Sequence, residues 1–380
     1  MKNKKPRIVI LQKSLPQYRV AFFNGLREEL AKREIDLELI YGDMDEGRKD
    51  KVRLEWATFL PNKYLNLRFI KLIWQPCLKQ IKHADLVIVE QADKLLLNYL
   101  LFIRKIFGRQ RFAFWGQGRH LQDKENSAKN LFKRMFLKHC NWWFAYTAEV
   151  KEYLIQKGYP GDRVTIVQNA IDTRWMQEDY LSVTDEELNQ FRKANKIRED
   201  ETVLIYCGSL FKEKRIEFLT EAAKKLFEEG HKIRLLVVGA GPDEQLIIDA
   251  AAQYPFITYT GPLFGRNKAV AFKASSLFLL PGAIGLAVLD SFAYRTPIVT
   301  TVYEFHGAEF KYIINGENGL ITENDLVSYV SAIKDILGNK EQFGLLVANC
   351  IRDAGKYTNE NMVRNFADGI SSFVGSISSK

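Results

Sequence analysis

The chain has 380 residues, 47% of them hydrophobic, with a net charge of +9, too long for one ordinary core and too apolar for a disordered chain, so two domains of about 170–200 residues are expected. No apolar run approaches the roughly 18 residues of a membrane span, and Ile8-Val-Ile-Leu11 behind the basic start is too short for a signal-peptide core, which predicts a cytoplasmic chain. Four cysteines, Cys77, Cys140, Cys207 and Cys350, lack CxxC spacing and indicate neither a disulfide framework nor a zinc site.

Taken in order, strands alternate with helices. Arg7 to Leu11 reads as a strand, Gln12 to Arg19 as a loop, and Phe22 to Arg33 as an amphipathic helix with Phe23, Leu26 and Leu30 inward. Asp36 to Tyr41 returns as a strand, and Lys49 to Lys63 is charged and irregular. Leu86 to Val89 and Phe112 to Trp115 are buried strands separated by a basic helix over 94–107. Asn141 to Tyr146, a helix near 148–157 and Val164 to Val167 complete a first Rossmann-like domain over 1–172.

A connector, 173–200, contains one helix opened by the capping box Thr184…Glu187. The second alternation, 201–357, has strands at Thr202–Tyr206, Arg234–Val238, Ile257–Thr260, Leu277–Leu280 and Pro297–Thr301, with a helix near 215–229 and another starting at Gly285. In that second helix Leu286, Leu289, Phe292 and Ala293 form the inward stripe and leave Asp290 and Tyr294 on another face. Two helices, near 324–337 and 359–375, finish the chain, and the last, 358–380, is expected to pack back on the first domain. The fold class is α/β, two Rossmann-like domains whose parallel sheets face a central cleft.

Charge is divided unevenly. Residues 1–172 carry 32 Lys and Arg against 19 Asp and Glu, while 173–380 carry 23 against 27. The surplus lies mostly in 56–140, interleaved with Leu, Phe and Trp, which suits an anionic membrane surface; a solvated basic face over core helices is the other reading. No nucleic-acid-binding module is evident, so a nucleic-acid partner is not expected.

Three glycine-bounded loops follow second-domain strands: Gly208-Ser209 running to Lys212, Lys214 and Arg215; Gly239-Ala-Gly241-Pro242; and Gly282-Ala-Ile-Gly285 ahead of a helix. Glycines free backbone N–H groups for an anion, and cations beside them suit a diphosphate. No Asp, Glu or His cluster has metal-ligand spacing, so no metal and no cofactor is expected. The first loop, Leu11 to Tyr18, lacks GxGxxG, which argues against a dinucleotide enzyme.

Tyr206-Cys-Gly-Ser-Leu-Phe-Lys-Glu-Lys214, Val237-Val-Gly-Ala-Gly-Pro242 and Gly285-Leu-Ala-Val-Leu-Asp290, with Phe114-Trp-Gly-Gln-Gly-Arg119 and Val167-Gln-Asn-Ala-Ile-Asp172 upstream, resemble the retaining GT-B glycosyltransferases of family 4. The resemblance implies transfer of a sugar, with retention and without a metal, from a nucleotide-sugar donor (UDP-sugar over GDP-sugar) to a glycan or polyprenyl-diphosphate-linked glycan in cell-surface polysaccharide synthesis. The inner face of the cell membrane is the site of action it suggests.

Carried over by position, Lys214 neutralises the diphosphate, the Gly285 and Leu286 amides hold its distal phosphate, Asp290 holds the ribose, and Leu263 or Phe264 lies beside the base. Gly208, Ser209, Lys212, Arg215, Gly239, Gly241, Gly282 and Glu304 complete the expected donor side, with His306 near. Gln117 joins Lys214 and Asp290 as the catalytic set, and Pro16, Tyr18, Arg19, Arg119 and His120 border the acceptor. The chain departs from the family at Gly282, where the first of two glutamates usually stands, at Ser209, where an arginine does, and at Gln117, where a histidine does. An epimerase acting on a nucleotide sugar and a weakly catalytic nucleotide-sugar-binding protein share these features.

Overall fold

The apolar runs become the central strands of two α/β units in a computed structural model, which describes residues 5–43, 52–67, 70–118 and 136–378. Unit 1 comprises Met1–Ile171 and Asn359–Lys380, and unit 2 comprises Asp172–Thr358.

In unit 1 the strands are β1 (Arg7–Gln12), β2 (Asp36–Tyr41), β3 (Thr58–Phe59), a separate hairpin of β4 (Lys63–Leu67) and β5 (Ile70–Trp74), then β6 (Leu86–Glu90), β7 (Phe112–Gly116), β8 (Trp142–Ala145) and β9 (Val164–Ile166). All but the hairpin form one parallel sheet ordered β3-β2-β1-β6-β7-β8-β9. Connections from β1 run one way to β2 and β3 and the other way from β6 onward, so the order reverses between β1 and β6. Open α/β sheets bind ligands outside the carboxyl ends of their strands at such a reversal. The charged stretch that reads as irregular contains the short edge strand β3, and the basic, apolar stretch after it folds back on itself as the antiparallel β4–β5 ribbon.

The helix Asn359–Ser378 covers one face of this sheet. Phe366 stacks on Phe144 at 4.2 Å between centroids and meets Trp115 and Phe22 edge-on. Gly369 allows the approach, because a Cβ there would stand 2.6 Å from Thr165 Oγ1 and 2.8 Å from the Phe144 ring. Removing the Phe366 ring from such a position costs about 3–5 kcal/mol. The final helix therefore belongs to the core of unit 1.

Unit 2 carries β10 (Thr202–Cys207), β11 (Ile233–Val238), β12 (Ile257–Gly261), β13 (Leu277–Leu279), β14 (Ile298–Thr301) and β15 (Gly319–Thr322), all parallel in the order β12-β11-β10-β13-β14-β15. Its order reverses between β10 and β13. The stretch 173–200, read as a connector with one helix, folds as two, Arg174–Ser182 and Asp185–Ala194, within unit 2. The capping box at Thr184 opens the second. Arg266 locks both in place by pairing with Glu187 at 2.7 Å and donating to the Asp179 carbonyl at 3.0 Å. A third late helix, Lys340–Ala354, lies between the two expected at the end of the chain.

Candidate functional site

The reversal in unit 2 brings together the loops that follow β10 and β13. After Gly208 the backbone turns through the short helix Lys212–Lys214, and Arg215 takes a left-handed conformation, φ 60°, at the start of helix Ile216–Glu228. The Ala283 N–H donates to the Glu213 carbonyl at 2.7 Å, and the Ala283 carbonyl accepts from the Lys214 ammonium. Arg215 donates to the Pro281 carbonyl at 3.2 Å, to Thr301 Oγ1 and to Asn324 Oδ1, and its guanidinium stacks 4.0 Å from the Phe218 centroid. Arg215 is therefore a brace for the β13 loop, and its fork of donors is used within the fold.

Three of the expected phosphate-loop glycines have a packing explanation. A Cβ on Gly239 would fall 1.8 Å from the Gly208 carbonyl oxygen, one on Gly241 2.1 Å from that of Leu210, and one on Gly282 2.2 Å from that of Glu213. Backbone touches backbone at all three, so any side chain forces a loop to move. At position 282 this matters doubly, because no glutamate fits there while Glu213 and Lys214 hold their present course. Gly285 differs, since its Cβ would meet nothing nearer than Glu309 Oε2 at 4.0 Å. The expected helix from Gly285 begins instead at Val288 and runs to Ala293, and the N–H groups of Gly285, Leu286 and Ala287 in the turn before it meet no acceptor among the described residues. Leu286, expected inward, is half-buried in this turn.

Lys214, whose ammonium donates to the Ala283 carbonyl two residues before these amides, is 9% exposed and has no carboxylate partner among the described residues. Burial lowers its pKa to about 8. An ammonium held this way costs stability until an anion arrives, and such groups mark ligand sites. The loop is held from the far side by His306, whose Nδ1 accepts the Ile284 N–H at 3.1 Å while Nε2 lies 2.9 Å from the Thr301 carbonyl, so the ring is neutral with its proton on Nε2. Burial, with Lys214 adding to it, brings the His306 pKa down to about 4 against the opposing backbone contact at Thr301.

Asp290 is placed differently from the expectation. The short helix is buried all round, so Asp290, 7% exposed, and Tyr294, fully buried, do not present an open face. The Asp290 carboxylate pairs with Lys268 at 2.8 Å. Burial opposes the charge on Lys268, yet Asp290 holds its pKa above the ordinary value. Lys268 and the buried Glu309 carry no motif signal, since only tertiary contacts bring them here, whereas His306, expected near the donor side, braces the Ile284 turn. The remaining expected donor residues are open to solvent or nearly so: Ser209, Lys212 and Glu304 are exposed, Phe264 is 79% exposed, and Leu263 is half-buried. No three His, Cys, Asp or Glu side chains converge as metal ligands among the described residues.

In unit 1 the reversal lies between the ends of β1 and β6. Tyr18 is 45% exposed behind Pro16, whereas Arg19 is 5% exposed. Arg19 donates to Asn169 and to the Met362 sulfur at 3.4 Å and stacks 5.1 Å from Trp115, so it ties the segment after β9 to the final helix and does not border open space as expected. Gln117 is half-buried after β7. Arg119 and His120 lie outside the described residues. Sequence reasoning missed Glu90, the last residue of β6, whose Oε1 accepts the Lys13 N–H at 3.1 Å across the reversal. Burial raises its pKa against the opposing pull of that N–H and of the Arg19 and Lys13 charges.

Residues 188–352 match the family described as Glycosyl transferases group 1, and residues 21–175 match Glycosyltransferase Family 4. An alpha-monoglucosyldiacylglycerol synthase of Acholeplasma laidlawii is 24% identical over 246 residues, which is 62% of this chain and 60% of that protein, so the similarity spans about three fifths of the relative's length. Among solved structures, a glycosyltransferase of Rickettsia africae is similar with a TM-score of 0.69 at 16% identity, covering 98% of this chain and 99% of that one. Anabaena HepE in complex with UDP is similar with a TM-score of 0.68 at 12% identity, covering 96% and 100%. At these identities the structural likeness speaks to the fold alone. With the two family matches falling on two parallel sheets that each reverse order at their centre, the chain belongs to the group 1 glycosyltransferases of family 4 type, with the GT-B fold.

Proposed function

We propose that the protein transfers a sugar from a nucleoside-diphosphate sugar, UDP-sugar in preference to GDP-sugar, to a glycan or lipid-linked glycan acceptor with retention at the anomeric carbon. The observation that carries this reading is Lys214, a buried ammonium that has no carboxylate partner among the described residues and reaches the Ala283 carbonyl, in the loop whose Gly285 to Ala287 amides meet no acceptor among them. As the bond between the anomeric carbon and the diphosphate breaks, negative charge gathers on the departing phosphate oxygens. A preorganised ammonium and N–H groups stabilise that charge more strongly than water does. The same role is filled by a divalent ion in other phosphate chemistry, so activity is expected to persist in EDTA. The preference for uridine draws on the UDP bound to the neighbouring fold.

The acceptor side is assigned to unit 1, and the relative named for a glycolipid product supports an acceptor carried on lipid. The chemistry of an anionic membrane surface is present on one edge of that unit. Ile103, Ile106 and Phe107 are 48, 64 and 68% exposed at the end of helix Leu96–Ile106, beside exposed Arg109, Arg111 and Lys82 at the amino ends of β6 and β7. Lys105 does not join them, because its ammonium turns inward to the Cys140 carbonyl at 3.3 Å. Apolar insertion together with cations suits an anionic leaflet, the place for synthesis of a cell-surface polysaccharide or glycolipid.

A thermal-shift series with UDP, GDP and ADP and their sugars tests the donor. A ligand at about a hundred times its dissociation constant adds about 2.7 kcal/mol, so stabilisation by UDP and UDP-sugars is expected. Absence of any shift at millimolar nucleotide contradicts the proposal.

A further inference from the structure

The carboxyl end of β6 carries a charged side chain that the fold satisfies only in part. Glu90 stands in register with Trp115 of β7, so its side chain leaves the sheet on the same face as that ring, at the reversal between β1 and β6. Its Oε1 accepts the N–H of Lys13, the first residue after β1, at 3.1 Å. Its Oε2 has no hydrogen-bond partner, and Glu90 has no salt bridge, among the described residues. Glu90 is half-buried, and Oε2 keeps contact with solvent, in contrast to the sealed, unpaired oxygen of the adjoining Asn98.

The surroundings hold this carboxyl in place without completing its hydrogen bonds. Asn98 donates to the Glu90 carbonyl at 2.9 Å and to that of Ala92 at 3.1 Å, which fixes the backbone as it leaves the strand. The charge of Arg19 acts on Glu90, yet its donors go to Asn169 and the Met362 sulfur while its plane lies 5.1 Å from the Trp115 ring centre. A carboxylate has about four acceptor positions, and the Lys13 N–H fills one of them. A half-buried acceptor on a rigid base with an open position calls for a donor.

The charges around it select the chemistry of that donor. A phosphate or a second carboxylate is repelled by Glu90 itself. A metal ion or an ammonium is opposed by the positive charges of Arg19 and Lys13, and no group of metal-ligating side chains forms here among the described residues. A neutral hydroxyl meets neither penalty and makes a short, charge-assisted hydrogen bond to a carboxylate. We infer that Glu90 is an acceptor-binding residue, whose Oε2 accepts a hydrogen bond from one hydroxyl of the acceptor sugar and so selects for a hydroxyl at that ring position. Its role is binding, without proton transfer. The inference rests on the assignment of the acceptor to unit 1, and it is separable from the donor site in unit 2.

Saturation-transfer NMR titrations on the full chain test it, with the methyl glycosides of glucose, galactose, mannose and N-acetylglucosamine as probes, followed by the monodeoxy analogues of those that bind. At least one glycoside is expected to bind the parent, and removal of one of its hydroxyls is expected to weaken binding about tenfold or more, as loss of a hydrogen bond to a charged group does. Glu90→Gln keeps the shape and an oxygen for the Lys13 N–H. In this variant the intact glycoside is expected to bind about tenfold more weakly and to lose its advantage over that deoxy analogue, while UDP still raises the melting temperature as in the parent. No transfer to any probe in the parent, equal binding of every deoxy analogue, or a deoxy preference that persists in Glu90→Gln overturns the inference. Absence of a UDP response in the parent instead contradicts the donor proposal and leaves the glycoside result to stand by itself.

Discussion

The two units have the same parallel architecture and reverse strand order at equivalent places, between β1 and β6 and between β10 and β13, yet the chemistry set at the two reversals is opposite. In unit 2 the reversal holds a buried ammonium, three amides that meet no acceptor among the described residues, and loops packed backbone to backbone through Gly239, Gly241 and Gly282. In unit 1 it holds a carboxyl, Glu90, whose pKa is raised by burial, beside an arginine already clamped by Asn169 and Met362. Topology supplies a crevice at each reversal, and the residues at the strand ends set its chemistry: a buried ammonium at one, a buried carboxyl at the other.

The comparison breaks first at Lys214. Lys214→Ala is expected to lower turnover about a hundredfold or more, as loss of one preorganised charge partner does, and to abolish the UDP-induced thermal shift. Glu90→Gln, by contrast, is expected to keep that shift. Equal loss of UDP binding in both variants would make the two reversals one site.

The next effect is in pH. Free Lys214 has its pKa lowered to about 8, and a bound diphosphate raises it, so the protonated form binds more tightly. UDP affinity is therefore flat below about 8 and falls by up to about tenfold per pH unit above it, until the raised pKa of the complex is reached. Lys214→Arg, which keeps its charge, should flatten the profile. In the unliganded protein the sign is reversed: the folded state holds Lys214 below its ordinary 10.5, so protonation costs stability, and stability rises as pH climbs from about 8 to 10.5.

Much of unit 2 is legible from sequence and the reasons are local. Thr202–Cys207 and Ile233–Val238 are apolar runs buried on both faces, and the glycines stand at their ends. What cannot be read is what each glycine is for. Gly282 looks like a phosphate-loop residue, but only the approach of the Glu213 carbonyl shows that it is a contact between loops. Lys268 is one of many lysines in the chain until helix Gly265–Lys273 delivers it to Asp290. Glu90 reads as the polar end of a strand until β1 lies alongside it. In unit 1 the hairpin Lys63–Trp74 is obscured because its basic and apolar residues resemble the surface-helix pattern that follows, and in unit 2 the helix Arg174–Ser182 is obscured because its apolar positions are few.

Smaller effects sharpen the account of the loops. Gly282→Ala should destabilise unit 2 by about 1–3 kcal/mol, as overpacking does, seen as a lower melting temperature; Gly282→Glu, which restores the usual family residue, should lower stability further and bring no gain in turnover. A fully stable, more active Gly282→Glu variant would show that the Glu213–Lys214 backbone yields easily. His306 gives a pH signature in acid. Its folded pKa of about 4 lies below the ordinary 6.5, so the unfolded chain binds the proton first, and stability is lost as pH falls through that window. The loss is about 1.4 kcal/mol per pH unit at most, and denaturant titrations of the parent and His306→Phe should differ in slope there and agree above it.

The weakest contributions belong to the basic edge of unit 1, at about 1 kcal/mol per near-surface cation. Co-sedimentation with anionic but not neutral liposomes is expected, weakened by salt and by charge reversal at Arg109 and Arg111, and by Phe107→Ser. Lys105→Glu is not a fair test, because its ammonium serves the Cys140 carbonyl. Binding to neutral vesicles at equal strength would leave this edge an ordinary solvated face. The edge stands at the amino ends of strands β6 and β7, about 17 Å from their carboxyl ends at 3.3 Å per residue.

Lys214, a buried cation with no carboxylate partner among the described residues, is proposed to await a nucleoside diphosphate. Calorimetric titration of UDP into the full chain at pH 8.5, repeated in two buffers of different ionisation enthalpy, measures it most directly. Binding with uptake of a fraction of a proton is expected in the parent, and weaker or no binding without uptake in Lys214→Ala. Binding of equal strength and equal proton uptake in the two proteins would contradict it.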